Sequence, residues 1–142
     1  MRISSRPDAV AIMRGEGIRG IVRFFQKRCA VRVEAQISGL PDNESGFFAF
    51  HIHQGFDCGG KDFGDTGGHY NPDGAPHPRH AGDLPPLLSA GGKAYLRVET
   101  NRFRLPEVLG RTVVIHSEAD DFYTQPAGNS GKKIACGVIR RM

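Results

Sequence analysis

The stretch AVRVEAQISGL, residues 30–40, is the clearest indication of the kind of fold this chain adopts. Val31, Val33, Ala35 and Ile37 alternate with polar residues, and a period of two indicates a β-strand with one buried face. Similar segments occupy residues 9–14, 18–26, 47–53, 94–103, 111–116 and 133–139, with a weaker, proline-containing candidate at 84–90. Seven or eight short strands, with no helical periodicity of useful length, predict an all-β sandwich or barrel.

Length and charge limit the possible partners. The 142 residues fit one domain, covering residues 1–142. The net charge of +4 is scattered, which predicts no nucleic-acid partner but suits a small anionic substrate. No apolar run approaches the roughly 20 residues of a membrane span, so no membrane partner is expected. Residues 1–15 lack a signal-peptide pattern, which predicts a cytoplasmic protein, or an extracytoplasmic one if a leader was removed.

Two segments between the predicted strands are too long to be ordinary turns. Residues 54–83 and 117–132 both exceed the about 12–15 residues beyond which a structureless loop is usually functional or disordered. Both contain Gly, Asp, Asn or His rather than polar filler, so we expect them to be ordered. The histidines are the best candidates for holding the first of them.

Three of the six histidines lie at the ends of predicted strands. His51 and His53 are two residues apart and therefore project from the same face of their strand. His116 ends another strand pattern, and the three rings could bind one metal ion if the two strands are neighbours. The alternative is a pair of ordinary strand histidines, one of them solvated.

The other three histidines fall in the first long loop. His69, His77 and His80 are followed by Asp83, and three imidazoles with one carboxylate form a donor set that suits tetrahedral zinc. This spacing favours a zinc site, which would also order the loop. The alternative is a polar loop with solvent-facing histidines.

Five motifs in order carry a family resemblance. They are FHIH (50–53), GGHYNP (67–72), HAGDL (80–84), GRTVVIH (110–116) and ACGVI (135–139). Together they resemble the copper/zinc superoxide dismutase family over residues 9–139, nearly the whole chain. The resemblance implies an eight-stranded antiparallel Greek-key β-barrel with two long functional loops. It also implies the reaction 2 O₂⁻ + 2 H⁺ → O₂ + H₂O₂, with copper cycling between Cu(II) and Cu(I).

The resemblance assigns every histidine to a metal. Copper would be held by His51, His53, His69 and His116, and zinc by His69, His77, His80 and Asp83. His69 would bridge the two metals, leave copper when copper is reduced, and carry a proton to the next superoxide. Imidazole-rich coordination suits Cu(II), and the closed loop site suits zinc.

Further roles also come from the resemblance. Asp120 would link one copper ligand to one zinc ligand through their free ring N–H groups. Cys58 and Cys136 would form a disulfide, leaving Cys29 as a free thiol. Lys133 stands where the family usually has an arginine that guides the anion, so we expect steering to survive and docking to weaken.

The sequence allows more than one oligomeric state and more than one function. Arg140 and Arg141 occupy a position that is small and apolar in the common eukaryotic dimer, which predicts a homodimer of another geometry or a monomer. The main alternative is that the chain is a non-enzymatic relative that binds or transfers copper. Such a relative would be expected to lack a copper ligand or the bridging histidine, and this sequence has both. An immunoglobulin-like adhesion module explains the strands but would bind no metal.

Overall fold

The computed structural model describes residues 6–142 and contains eight β-strands. The first five residues, part of the N-terminal segment discussed above, lie outside the described residues. The strands are β1 (Ala9–Gly15), β2 (Ile18–Gln26), β3 (Val31–Ser38), β4 (Phe47–His53), β5 (Asp83–Leu88), β6 (Ala94–Thr100), β7 (Thr112–His116) and β8 (Lys133–Arg141).

All eight strands form one antiparallel sheet that closes almost completely into a barrel. Their spatial order is β5-β4-β7-β8-β1-β2-β3-β6, so β3 and β4 are consecutive in the chain but separated in the sheet. The chain crosses the barrel between β3 and β4 and again between β6 and β7. The prediction of an eight-stranded antiparallel barrel is confirmed.

The barrel interior is filled by alternate residues of each strand, as the period of two requires. In β3, Val31, Val33, Ala35 and Ile37 are all buried in one core. Strand β4 differs because both of its faces are buried. Its even-numbered residues, such as Phe50, enter the core, whereas its odd-numbered residues point outward and, except for the exposed Phe47, are buried beneath the long loops. This second buried face is where the histidines lie.

The weaker strand prediction is also confirmed, and its prolines have a structural explanation. Strand β5 begins at Asp83 and lies at the end of the strand order, pairing with β4. Its register against β4 shifts between Phe48 and Phe50. Pro85 and Pro86 are tolerated there because an edge strand with an irregular register does not need every backbone donor.

Two short helices were not predicted. Helix α1 (Leu105–Val108) lies between β6 and β7, and a 3₁₀ helix (Lys61–Thr66) lies inside the first long loop. Four to six residues are too few to show helical periodicity in sequence. Within residues 6–142, no helix is long and apolar enough to cross a membrane.

The first long loop is fastened to the outside of the barrel by backbone hydrogen bonds. Ile52 accepts a bond from the N–H of Tyr70 (2.8 Å) and donates one to the carbonyl of Gly82 (2.8 Å). The predicted disulfide between Cys58 and Cys136 is present and joins this loop to β8, while Cys29 is a free, exposed thiol. The loop is therefore held at both of its ends against β4 and β8.

The end of β8 bears on the prediction about assembly. Arg140 and Arg141 are both exposed on this strand. Burying two unpaired guanidinium groups at an interface would carry a desolvation cost. The oligomeric state stays a prediction.

Candidate metal centre

His51, His53 and His116 lie on the outer face of two neighbouring strands, as the strand-end hypothesis required. Strands β4 and β7 pair directly, with His51 opposite Val114 and His53 opposite Thr112. This antiparallel register places His53 and His116 on opposite sides of His51, so the side chains must lean together to meet. They do so, because the Nε2 atoms of His53 and His116 are 3.1 Å apart.

The loop residues form a second cluster beside the first. The Nδ1 atom of His69 lies 2.8 Å from Asp83 Oδ1 and 3.1 Å from His80 Nδ1. The Nδ1 atoms of His77 and His80 lie 3.0 Å and 3.2 Å from Asp83 Oδ2. Ligand atoms about 2.0–2.2 Å from a tetrahedral ion are roughly 3.3–3.6 Å from one another, so these four side chains are spaced nearly as a zinc site requires.

His51 also approaches this second cluster. One donor atom from each of His51, His69, His77 and Asp83 fits within 4.8 Å. His80, however, directs Nδ1 at both His69 and Asp83, whereas Nε2 of His51 is bonded to Asp120 and its Nδ1 makes no such contact. The geometry therefore favours His80 over His51 as the fourth member.

His69 belongs to both clusters. Its Nδ1 faces Asp83, and its Nε2 is buried without a hydrogen-bond partner. One donor atom from each of His51, His53, His69 and His116 fits within 4.8 Å. The centres of the His51 and His69 rings are only 4.0 Å apart. A single imidazole thus lies between the two groups, with one nitrogen available to each.

Asp120, in the second long loop, links the clusters from behind. Its Oδ2 accepts a hydrogen bond from His51 Nε2 (2.8 Å), and its Oδ1 accepts one from His77 Nε2 (2.7 Å). These bonds place the ring proton of each histidine on Nε2, so that Nδ1 carries the lone pair. The carboxylate therefore fixes the tautomer of one histidine from each cluster.

The unpartnered atoms show that the site fits metal ions. Among residues 6–142, five buried side-chain nitrogen atoms lack a hydrogen-bond partner, and three of them are His51 Nδ1, His69 Nε2 and His77 Nδ1. A fourth is His116 Nδ1, which is on the far side of a ring whose Nε2 meets His53. His77 Nδ1 is close to Asp83 Oδ2 but is not aligned for a hydrogen bond to it. An unsatisfied buried polar atom costs about 1–3 kcal/mol, so three of them in adjoining side chains indicate a ligand that binds them.

Burial keeps the first cluster in the state that binds metals. It lowers the pKa of His51 to about 4, of His116 to about 3 and of His53 to about 2, with neighbouring imidazoles contributing in each case. Burial acts to raise the pKa of Asp83 and of Asp120, but hydrogen bonds outweigh this effect and both pKa values are lowered. The bond to Asp83 comes from His69, and the bonds to Asp120 come from His51 and His77. Neutral imidazoles and ionised carboxylates are the forms that coordinate cations.

Gly128 is a site residue that the sequence did not reveal. It lies in the second long loop with a φ of +73°, and a Cβ atom there would lie 2.1 Å from Asp120 Oδ1 and 2.7 Å from His77 Nε2. Only glycine lets the loop backbone approach the Asp120–His77 hydrogen bond this closely.

We expect Gly128→Ala to displace Asp120 and weaken zinc binding about 10- to 100-fold, because this carboxylate orients His77. Competition with a chromophoric chelator would measure the zinc affinity. Gly74→Ala is the matched control, since Gly74 also has positive φ (+65°) but no atom within 4 Å of its would-be Cβ. Equal zinc affinities in the two variants would contradict the proposed role of Gly128.

Lys133, the last predicted site residue, begins β8 and is partly buried. Its Nζ donates to Thr66 Oγ1 (2.7 Å) and to the carbonyl of Gly67 (2.9 Å). Burial lowers the pKa of Lys133 from its usual value. The sequence predicted no role for Thr66, and it marked Gly67 only as part of the GGHYNP motif, because nothing in a loop of small polar residues identifies the partners of a distant lysine.

The barrel and its two adjoining clusters define a class: a small antiparallel β-barrel whose outer face could hold two metal ions around a shared histidine. The family model of copper/zinc superoxide dismutase (SODC) matches residues 18–139. The chain belongs to this family, whose metals are copper and zinc, as the resemblance implied.

Individual relatives include two kinds of protein. A copper chaperone for superoxide dismutase from Rattus norvegicus is 39% identical over 94% of this chain and 53% of the relative. A Cu-Zn superoxide dismutase from Deinococcus radiodurans is 38% identical over 87% of this chain and 78% of the relative. The crystal structure of the clock protein EA4 matches with a TM-score of 0.84 and 31% identity, covering 100% of both chains. The chain thus spans about half the length of the chaperones it matches.

Proposed function

We propose that this protein is a superoxide dismutase that converts superoxide to O₂ and H₂O₂ with copper and zinc. The observation that carries the proposal is that all six histidines and Asp83 gather into two adjoining clusters that share His69. No histidine is left for another role. A protein that only stored one metal would have no need of the shared ring.

We assign copper to His51, His53, His69 and His116, and zinc to His69, His77, His80 and Asp83. Copper, when bound, supplies one-electron oxidation and reduction. Zinc supplies a fixed positive charge, because it does not change oxidation state. The remaining work belongs to side chains of the chain itself.

His69 is the residue we propose to move the proton. Its Nδ1 contacts Asp83 and His80, which fixes the position of the ring. Its Nε2 has no hydrogen-bond partner and is the atom we propose to gain and lose the proton. Asp120 keeps the neighbouring His51 and His77 rings in one tautomer. Lys133 provides the positive charge that attracts the anionic substrate.

Copper transfer to another protein is the second candidate function. It is favoured by the relatives named copper chaperones for superoxide dismutase, which align with 94% of this chain. A site for copper delivery needs no shared histidine and no complete set of copper donors, and both are present here. We therefore rank dismutation first.

Pulse radiolysis of the purified protein, loaded with copper and zinc and analysed for metal content per chain, would test the proposal. We expect one copper and one zinc per chain and a rate constant of about 10⁸–10⁹ M⁻¹s⁻¹, near the diffusional ceiling. The matched control is His116→Gln, which removes one copper donor but leaves the zinc cluster unchanged. It should keep zinc and lose nearly all catalysis.

Full loading with no more catalysis than the zinc-only protein would overturn the proposal. The same preparation should then be mixed with a metal-free superoxide dismutase. Copper transfer to that acceptor would support the chaperone function instead.

A further inference from the structure

Thr66 is a buried polar residue with no role in the function proposed so far. It ends the 3₁₀ helix of the first long loop and has no exposed surface. Its hydroxyl donates to the carbonyl of Phe63 (2.8 Å) and accepts a hydrogen bond from Lys133 Nζ (2.7 Å). The proton of the hydroxyl is thus committed to the loop, and a lone pair is left for the ammonium group.

The second bond of Lys133 connects it to the proposed copper cluster. The carbonyl oxygen of Gly67 accepts from Lys133 Nζ (2.9 Å) and from His53 Nδ1 (2.7 Å). The ammonium is therefore one carbonyl away from a proposed copper ligand. Of its three N–H donors, two are used by Thr66 and Gly67, which leaves one for an incoming anion.

A lysine at this position needs such support. Its flexible stem carries about 2 kcal/mol of rotamer entropy, and its ammonium lacks the planar fork with which arginine reaches two acceptors in a fixed geometry. Without a second acceptor, the ammonium would leave the loop and hydrogen-bond to bulk water instead. The Thr66 hydroxyl supplies that acceptor from inside the protein.

We propose that Thr66 is a positioning residue that holds the Lys133 ammonium beside His53 in one orientation and so makes it a fixed docking group for small anions. The inference deepens the proposed function and rests on it. It changes the expectation drawn from the sequence, because a lysine held in this way docks an anion better than a free one.

Four variants separate this role from mere support of the loop. Thr66→Val keeps the shape but removes the hydroxyl, whereas Thr66→Ser keeps the hydroxyl. Lys133→Met, alone and combined with Thr66→Val, shows whether the two residues act together. If Thr66 only stabilised the turn through Phe63, its loss would have the same effect with or without Lys133.

Two measurements do not depend on catalysis. Nuclear magnetic resonance of the copper-free, zinc-loaded protein would follow the exchange of the Lys133 ammonium protons with water. Titration of the copper- and zinc-loaded protein with azide, followed by its visible spectrum, would measure anion affinity. Both can be read even if the protein proves inactive toward superoxide.

We expect Thr66→Val to speed ammonium exchange and to weaken azide binding about tenfold, the lower end of the effect of losing one hydrogen bond to a charged group. Thr66→Ser should stay within about twofold of the parent protein, and Thr66→Val should have no effect on azide in the Lys133→Met protein. Unchanged ammonium exchange in Thr66→Val, or an equal loss of azide affinity with and without Lys133, would overturn the proposal.

Discussion

Replacing Cys136 with serine is expected to lower the free energy of unfolding by about 4–5 kcal/mol, a large part of the total stability of a domain of this size. Cys136 and Cys58 are 78 residues apart in the chain, and their bond closes that long loop in the unfolded ensemble as well as in the fold. Removing it restores freedom mainly to the unfolded chain. Urea unfolding followed by circular dichroism would measure the loss.

The chain supplies a matched control for this prediction. Cys29→Ser removes a thiol that is exposed and unpaired, so it should leave the unfolding free energy unchanged. Cys58→Ser should reproduce the effect of Cys136→Ser, since either change removes the same bond. A loss below about 1 kcal/mol in both disulfide variants, or an equal loss in Cys29→Ser, would show that the bond contributes little.

The fold was predictable to a large degree because alternation was strong. Strands β2 and β4 have the predicted bounds, and the others differ by a few residues at their ends. Residues 94–103 show why the ends differ. The predicted strand runs on to Phe103 although residues 100–102 are all polar. Strand β6 ends at Thr100, and Phe103 turns into the core instead. A single apolar residue after a polar run can therefore belong to the core without belonging to the strand.

The site was predictable in membership but not in its supports. His69 and His77 stand out because histidine is rare and chemically specific, whereas Thr66, Gly67 and Gly128 are common residues of polar loops. Their roles depend on contacts between segments more than 40 residues apart in sequence, such as Thr66 with Lys133 and Gly128 with His77. Only the fold creates those contacts. The assignment of each metal to its residues stays a prediction.

Acid should unfold the metal-free protein well above the pH at which its carboxylates titrate. His51, His53 and His116 keep pKa values of about 4, 2 and 3 in the folded state because they are buried. Their unfolded value is about 6.5. As the pH falls below 6.5, the unfolded chain therefore takes up at least three protons that the folded protein does not, and the free energy of unfolding falls. His80, whose pKa burial also lowers, adds to this uptake.

For these three rings the expected loss is about 5–6 kcal/mol between pH 7 and pH 5, with a slope approaching about 4 kcal/mol per pH unit. The lowered pKa values of Asp83 and Asp120 add a further loss only below about pH 4, where unfolded carboxylates begin to take up protons. Urea titrations of chelator-treated protein at pH 7, 6 and 5 would measure the slope.

Two comparisons identify the histidines as the cause. The copper- and zinc-loaded protein should lose much less stability over the same range, since metals occupy the nitrogen lone pairs that protons would take. Metal-free His116→Gln, with one titrating group fewer, should show a slope lower by about 1.4 kcal/mol per pH unit. If the slope for the metal-free parent protein stays below about 1.4 kcal/mol per pH unit, the value for one proton, then these rings accept protons without unfolding. The buried cluster would then be too open to the solvent to keep its nitrogens ready for metal ions, and the proposed copper site would lose its main physical support.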